Sequence, residues 1–272
     1  MQSHRNVTAL ITGAGRGIGK RLAIGFAQAG ARVGLLGRSQ AELDLTKLEI
    51  EHAGGIAHRF RADVRDIEQL TAAVDRMAVI YGAVHTLIAN AAVLGPVGPF
   101  VGQRPRDWKE VFETNVLGVM NACRVVLPQM VEARRGKILV IVDHGAASPR
   151  PNLAPYSASK AACVRFVESL AEEVRDDNIQ VNSLSPGGAY TSMTDDILQA
   201  EDRAGLKEVE DAERIRLTGG VSAEKQIQLA LFLTSERSNH LTGKLIHMGD
   251  DLKRLEQDNA RQDAWTLRRH LK

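Results

Sequence analysis

Thr12-Gly13-Ala14-Gly15-Arg16-Gly17-Ile18-Gly19 is the stretch on which the fold of this chain turns. It follows directly on a β-type apolar run, Val7 to Ile11, and opens a segment in which Ile18, Leu22 and Phe26 recur at helical spacing. Glycines at such a junction permit a tight turn, let backbone N–H groups approach a pyrophosphate, and allow the helix to pack closely on the strand. The helix N-terminus adds a partial positive charge suited to an anion. A glycine run by itself describes any flexible loop. Its place between the first strand and a helical pattern marks it as a dinucleotide-binding turn.

Outward from that turn, strand-like runs alternate with helical stretches: Arg32 to Leu36, Ile56 to Arg61, His85 to Ala89, Lys137 to Val142, Ile179 to Leu184 and Lys244 to His247. With the first run this makes seven strands. Strand and helix in strict alternation predict an α/β, doubly wound Rossmann fold: a seven-stranded, mainly parallel sheet with helices on both faces. The ligand crevice is expected at the carboxyl ends of the strands. No internal repeat or low-complexity linker interrupts the chain, so residues 1–272 read as a single domain. Two segments break the rhythm. Residues 186–220 carry Pro186, Gly187, Gly188, Gly219 and Gly220 around a charged middle and are expected to form a substrate lid with short helices. Residues 250–272 are charged, with large apolar residues only at Leu252, Leu255, Trp265, Leu267 and Leu271, and are expected to pack on a surface or subunit.

Composition narrows the function classes. The chain is 44% hydrophobic and 25% charged, close to the globular average, which argues against disorder or a fibrous architecture. A net charge of +2, from 35 basic and 33 acidic residues, gives no field to steer the chain towards nucleic acid or anionic lipid. The Arg268-Arg269-His270 ending is too short, and too well accompanied by acids upstream, to serve as a basic arm. Cys123 and Cys163 lack metal-site or disulfide-framework spacing and read as reduced packing residues. With no signal-peptide pattern and no apolar stretch of membrane-spanning length, a cytoplasmic protein is expected.

The second strand indicates which dinucleotide. NAD-binding folds usually place an acid at its end for the adenosine ribose. Here the segment reads Gly34-Leu35-Leu36-Gly37-Arg38-Ser39, with Arg38 in reach of a 2′-phosphate and Arg16 able to approach it from the glycine turn. NADP(H) is therefore expected over NAD(H). Asp63, after the third strand, is placed to accept a bond from the adenine amino group.

Tyr156-Ser157-Ala158-Ser159-Lys160 opens a predicted helix after the fifth strand. A spacing of four puts Tyr156 and Lys160 on one helical face. A phenol with a pKa near 10 needs such a cationic neighbour to exchange protons near neutrality. Taken together and in order, Thr12 to Gly19, Asp63-Val64, Ala89-Asn90-Ala91-Ala92, Asn115, Tyr156 with Lys160, and Pro186-Gly187 followed by Thr191 resemble the classical short-chain dehydrogenase/reductase family from about Val7 to Met248. The resemblance implies that Asn115 anchors a water leading to Lys160, that Lys160 holds the nicotinamide ribose, and that Thr191 touches the carboxamide. Tyr156 would exchange the proton with the substrate oxygen. It also implies that Asn90 and Ala91 approach the cofactor closely, although the usual NNAG element departs at its first and last positions. Helices equivalent to 105–132 and 154–175 form subunit interfaces in such proteins, so a homodimer or homotetramer is expected.

One family feature is missing. The catalytic serine normally stands at the end of the fifth strand, 13 residues before the tyrosine, where this chain has Asp143. An alternative alignment, with Asp143-His144-Gly145-Ala146-Ala147 in place of Ser-Ser-Gly-Ala-Ala, puts His144 there instead. The serine donates a hydrogen bond to the substrate oxygen. Histidine can donate, whereas an ionised aspartate cannot. Adjacent strand residues point to opposite faces, which argues against Asp143 orienting His144. The nearest hydroxyl, Ser148, lies further into the loop. Two expectations follow. One is an NADP(H)-dependent oxidoreductase acting on a carbonyl or secondary alcohol, with substrate entering between loops 95–104 and 188–220. The other is an NADP(H)-binding sensor or scaffold that has lost turnover with the serine.

Overall fold

The chain is described here from a computed structural model covering residues 4–257, 266 and 267. Seven strands form one sheet: β1 (Thr8–Thr12), β2 (Arg32–Gly37), β3 (Ile56–Arg61), β4 (Thr86–Ala89), β5 (Gly136–Ile141), β6 (Ile179–Ser185) and β7 (Leu245–His247). Their order across the sheet is β3-β2-β1-β4-β5-β6-β7. Every neighbouring pair is parallel, so the expected mainly parallel sheet is parallel throughout. Strand ends differ from the sequence reading by about one residue, the usual uncertainty of where pairing stops.

The near-continuous apolar strands follow from burial on both faces. Along β5, Ile138 and Val140 join Leu10, Val126, Met130 and Val167 in one core layer, while Leu139 and Ile141 join Ala9, Leu22, Phe26 and Leu233 in the other. Period-two alternation thus feeds two cores. The first lies under α3 (Ile67–Tyr81), α5 (Gly118–Ala133) and α6 (Ala154–Glu173), reached past the short α4 (Pro105–Phe112). The second lies under α1 (Gly17–Gln28), α2 (Gln40–His52) and α9 (Ala223–Leu233). The single helix expected over 105–132 is in fact α4 and α5 joined by a π-helical turn, Glu113–Leu117, and Asn115 sits in that turn.

Between β6 and α9 the chain makes the excursion read from its glycines. It carries α7 (Ser192–Ala200) and α8 (Leu206–Thr218) and closes at its base, where Ala189 bridges Gly220 and Val221 N–H donates to the Gly188 carbonyl at 2.7 Å. Ile197, Ala200, Ala204 and Ala212 from this excursion form a third apolar cluster with Leu94, Leu153 and Tyr156. Beyond β7, α10 (Leu252–Glu256) buries Leu255 in the second core, and Leu267 packs against the first. Leu252 is exposed, and Trp265 and Leu271 lie outside the described residues. Cys123 and Cys163 are free and buried. Among the described residues no helix is long and apolar enough to cross a membrane.

Candidate active site

The sheet order reverses between β1 and β4, and a cleft of about 510 Å³ opens there at the strands' carboxyl ends. Gly13, Gly15, Arg16, Gly17, Ile18, Arg38, Asp63, Val64, Asn90, Ala91 and Thr191 line it. Thr12 and Gly19 lie beneath and shape it. The Thr12 hydroxyl accepts from the Asn90 and Ala91 N–H groups at 3.0 Å, and the Asn90 amide donates to the Thr12 and Gly13 carbonyls at 3.0 and 3.3 Å. These bonds tie the ends of β1 and β4 together. Gly13 takes φ +65°, and a Cβ on Gly19 would lie 2.2 Å from the Gly13 carbonyl oxygen. Glycine is thus required at both positions for the turn to close. Thr191 stands across the cleft, its methyl 3.1 Å from where a Gly17 Cβ would be.

The residues present fit a dinucleotide. The turn offers free N–H groups at a helix N-terminus. Thr114, whose hydroxyl is buried without a hydrogen-bond partner, lines the same cleft and leaves one polar group for a ligand to satisfy. At the β2 end, Arg38 is exposed and forms no ion pair among the described residues. Arg16 instead lies 3.6 Å from the carboxylate of Glu42, an acid in the cleft that the sequence reading did not consider. Ser39 caps α2, accepting from the Glu42 N–H at 3.4 Å. The Glu42 side chain nonetheless turns to the cleft. Asp63 is gripped by Arg65 at 2.6 to 3.1 Å, which holds its carboxyl below the usual range.

At the far end of the cleft, Met193 lines it and also packs in the cluster that contains Tyr156. Helical spacing in α6 puts the Lys160 ammonium 5.6 Å from the Tyr156 ring centre. Lys160 donates to the Ile141 carbonyl at 3.1 Å. Asn115 is fully buried: its amide bonds Val93 on both sides, at 2.8 and 3.0 Å, and donates to the Ser159 hydroxyl at 3.0 Å. Its main-chain carbonyl accepts from Cys163 Sγ at 3.0 Å. Burial pushes the Tyr156 phenol pKa up and the Lys160 ammonium pKa down. For Tyr156 the Asp143 carboxylate adds to the rise, and Arg150 opposes it. Only 6% of Tyr156 is exposed, because the α7–α8 excursion covers it. Pro186 and Gly187 do not line the cleft. The Pro186 carbonyl accepts from Gln226 at 3.0 Å, and Gly187 takes φ +70° at the base of the excursion.

The serine gap has a defined geometry. β5 ends at Ile141, and Asp143 caps a 3-10 turn over His144–Ala146, its Oδ1 accepting from the Gly145 N–H at 2.7 Å. Because the strand has already ended, the two side chains do not diverge as strand neighbours would: His144 Nδ1 lies 3.5 Å from Asp143 Oδ2. The His144 side chain is 51% exposed and that of Asp143 22%. Asp143 is the one within electrostatic reach of Tyr156. Its Oδ2 accepts from Arg150 at 3.0 Å, and Arg150 in turn donates twice to Glu208 of α8, at 3.0 and 2.5 Å. Arg150 also lies over the Tyr156 ring, 5.8 Å from its centre. Neither Arg150 nor Glu208 was legible as a site residue. They are 58 positions apart, and no local spacing announces a pair that only the folded excursion creates.

A parallel sheet with a glycine turn at its switch point and a tyrosine-lysine pair beyond it defines a Rossmann-type oxidoreductase. Residues 7–202 match the family model for short chain dehydrogenase, and the chain belongs to this short-chain dehydrogenase/reductase family. It is 36% identical over 242 residues to oxidoreductase UcpA of Salmonella typhimurium, covering 87% of this chain and 90% of that one. A crystal structure of an actinorhodin polyketide ketoreductase variant with NADPH superposes with TM-score 0.82 at 29% identity, over 89% of this chain and 95% of that one. A 3-oxoacyl-(acyl-carrier protein) reductase from Brucella melitensis with bound NAD gives 0.77 at 30% identity, over 90% of each chain.

Proposed function

We propose that the protein is an NADP(H)-dependent oxidoreductase that interconverts a carbonyl compound and a secondary alcohol. The observation that carries this reading is the buried Tyr156–Lys160 pair, 5.6 Å apart, joined through Met193 to the cleft built on the glycine turn. NADP(H) is favoured over NAD(H) by Arg38, which has no ion pair among the described residues, and by the absence of an acid at the β2 end itself. Arg16 would share the 2′-phosphate once drawn from Glu42. Asp63 keeps carboxylate lone pairs beyond those Arg65 uses, and so can still accept from adenine.

When bound, the reduced nicotinamide supplies a hydride. The protein's own part is orientation and proton transfer. Tyr156, kept protonated by burial, gives its phenol proton to the carbonyl oxygen as negative charge gathers there. Lys160 steadies the phenolate that remains, and Asn115 fixes the π turn against α6 through Ser159. The excursion over 186–220 acts as the lid: it must lift from Tyr156 to admit substrate past loop 95–104, which it meets at Gly98 and Arg203, and close to exclude water. Exposed Phe112 and Leu117, between α4 and α5, suit a homo-oligomeric contact.

A second reading, nucleotide binding without turnover, is favoured by the near-complete burial of Tyr156 beside an anion, Asp143. One experiment separates the two: steady-state oxidation of NADPH against a panel of ketones and aldehydes, alongside a fluorescence titration of NADPH. Turnover with any member supports the oxidoreductase. Tight binding with no turnover across the panel supports the sensor.

A further inference from the structure

Carbonyl reduction needs a hydrogen-bond donor at the substrate oxygen, and an ionised Asp143 has none to offer. His144 is half exposed, where Asp143 is 22% exposed. The side chain that Asp143 does hold is Arg150. Resting on the oxidoreductase reading above, we propose that Arg150 is the missing donor: its guanidinium, clamped between Asp143 and Glu208 over the Tyr156 ring, donates to the same substrate oxygen that Tyr156 protonates.

Four observations carry this. Arg150 is anchored by the residue that stands at the family's serine position, 3.0 Å away. Its side chain is 9% exposed and its guanidinium carbon is 5.8 Å from the Tyr156 ring centre, so it acts where water is largely excluded. Three of its N–H bonds are spent on Asp143 and Glu208. A guanidinium carries five, in a rigid fork, and two remain for a ligand. Finally, the loop is shaped around the stem: a Cβ on Gly145 would come within 3.0 Å of Arg150 Cδ and 2.8 Å of Asp143 Oδ1.

The charge logic accounts for Asp143. A serine is a neutral donor that needs no counterion. A buried guanidinium does, and Asp143 with Glu208 supplies it. Burial alone would lower the pKa of Arg150, but the bonds to Glu208 and the field of Asp143 outweigh it, so the cation is fixed. In the reaction a hydride from the reduced nicotinamide forms the new C–H bond, and the carbonyl π pair moves to oxygen. The Tyr156 proton joins that oxygen, and the phenolate regains a proton from solvent. The carbonyl is reduced and the nicotinamide oxidised. Arg150 makes and breaks no covalent bond. Because Glu208 belongs to α8, closure of the lid also completes the donor's clamp.

The test compares native protein, Arg150→Gln, Arg150→Lys and the double variant Asp143→Ser with Arg150→Gln, on a carbonyl the native protein reduces. For each, kcat, the NADPH dissociation constant by fluorescence and the thermal midpoint are measured. Loss of one oxyanion donor is worth about 10²–10³-fold in kcat. Arg150→Gln is expected to lose that much while NADPH binding is unchanged, and the serine of the double variant is expected to restore at least about tenfold. Arg150→Lys, with charge and donors but no fork, is expected between native and Arg150→Gln. It also stands in for Arg150→Gln if that variant does not fold. A native-like kcat in Arg150→Gln overturns the role and leaves the oxidoreductase reading intact. So does a lost kcat that the serine fails to restore, which marks Arg150 as a fastener of the lid and not a donor to substrate. A native protein that binds NADPH and reduces no carbonyl overturns both.

Discussion

Replacing Glu208 by alanine would strip Arg150 of both bonds that tie it to the lid and leave Asp143 as its one ion-pair partner among the described residues. The two side chains are 9% and 10% exposed, so solvent does little to screen the loss. Removing one partner of a buried pair costs about 3–5 kcal/mol. Hydrogen bonds to charged groups, at about 1.5–3 kcal/mol each, give a similar sum for two. The remaining Asp143 bond and water entering the space left by Glu208 pull the figure to the lower end, about 3 kcal/mol. The cost need not unfold the sheet. The excursion is closed at its base by the Ala189–Gly220 bridge and the Val221 bond to Gly188, neither of which involves α7 or α8, so lifting these two helices hydrates the stranded guanidinium. Native-state hydrogen exchange should therefore show α7 and α8 amides losing about 100-fold in protection, with strands β1 and β4 little changed. Tyr156, covered by the same helices, should become accessible to solvent probes. Unchanged protection of α7 and α8 in Glu208→Ala would refute the idea that this ion pair fastens the lid.

Two further perturbations test other parts of the account. Arg38→Ala should weaken NADPH binding by about 10–100-fold, the worth of one charge-assisted hydrogen bond, and leave NADH binding nearly unchanged. Equal loss for both nucleotides, measured by calorimetry, would remove the case for the 2′-phosphate site. Lys137, in the middle of the sheet, bonds Asn239 at 2.7 Å, and burial lowers its pKa to about 7. An unfolded lysine titrates near 10.4, so between about pH 7 and pH 10 the unfolded chain binds the extra proton and stability rises with pH. Urea unfolding at pH 7 and pH 9 should show the native protein gaining about 2 kcal/mol relative to Lys137→Met. Parallel pH dependence of the two would contradict that shift.

What the sequence disclosed was whatever local physics encodes. The turn from Thr12 to Gly19 needs glycine for its close contacts, and the parallel strands need unbroken apolar runs, so both can be read residue by residue. Tyr156 and Lys160 meet because four residues make about one helical turn. The break between α4 and α5 is not legible because a π turn adds one residue without changing the helical pattern, and Glu113 to Leu117 looks like ordinary helix. Glu42 lies in the first turn of α2, beyond the β2 end where an acid is usually sought. The Asp143–Arg150–Glu208 chain depends on an excursion folding back over α6, a long-range event with no periodicity to betray it. The expectation that Asp143 and His144 point apart failed for a local reason: the strand stops two residues before Asp143, and the turn it caps brings the side chains within 3.5 Å.

The central claim, that this chain moves a hydride with Tyr156 as proton donor, is tested most directly by single-turnover oxidation of bound NADPH by a reducible ketone, native against Tyr156→Phe. Oxidation by the native protein is expected, with a loss of about 10²–10⁴-fold in the variant and NADPH affinity retained. A Tyr156→Phe variant as fast as native, or a native protein that holds NADPH and never oxidises it, would contradict the account.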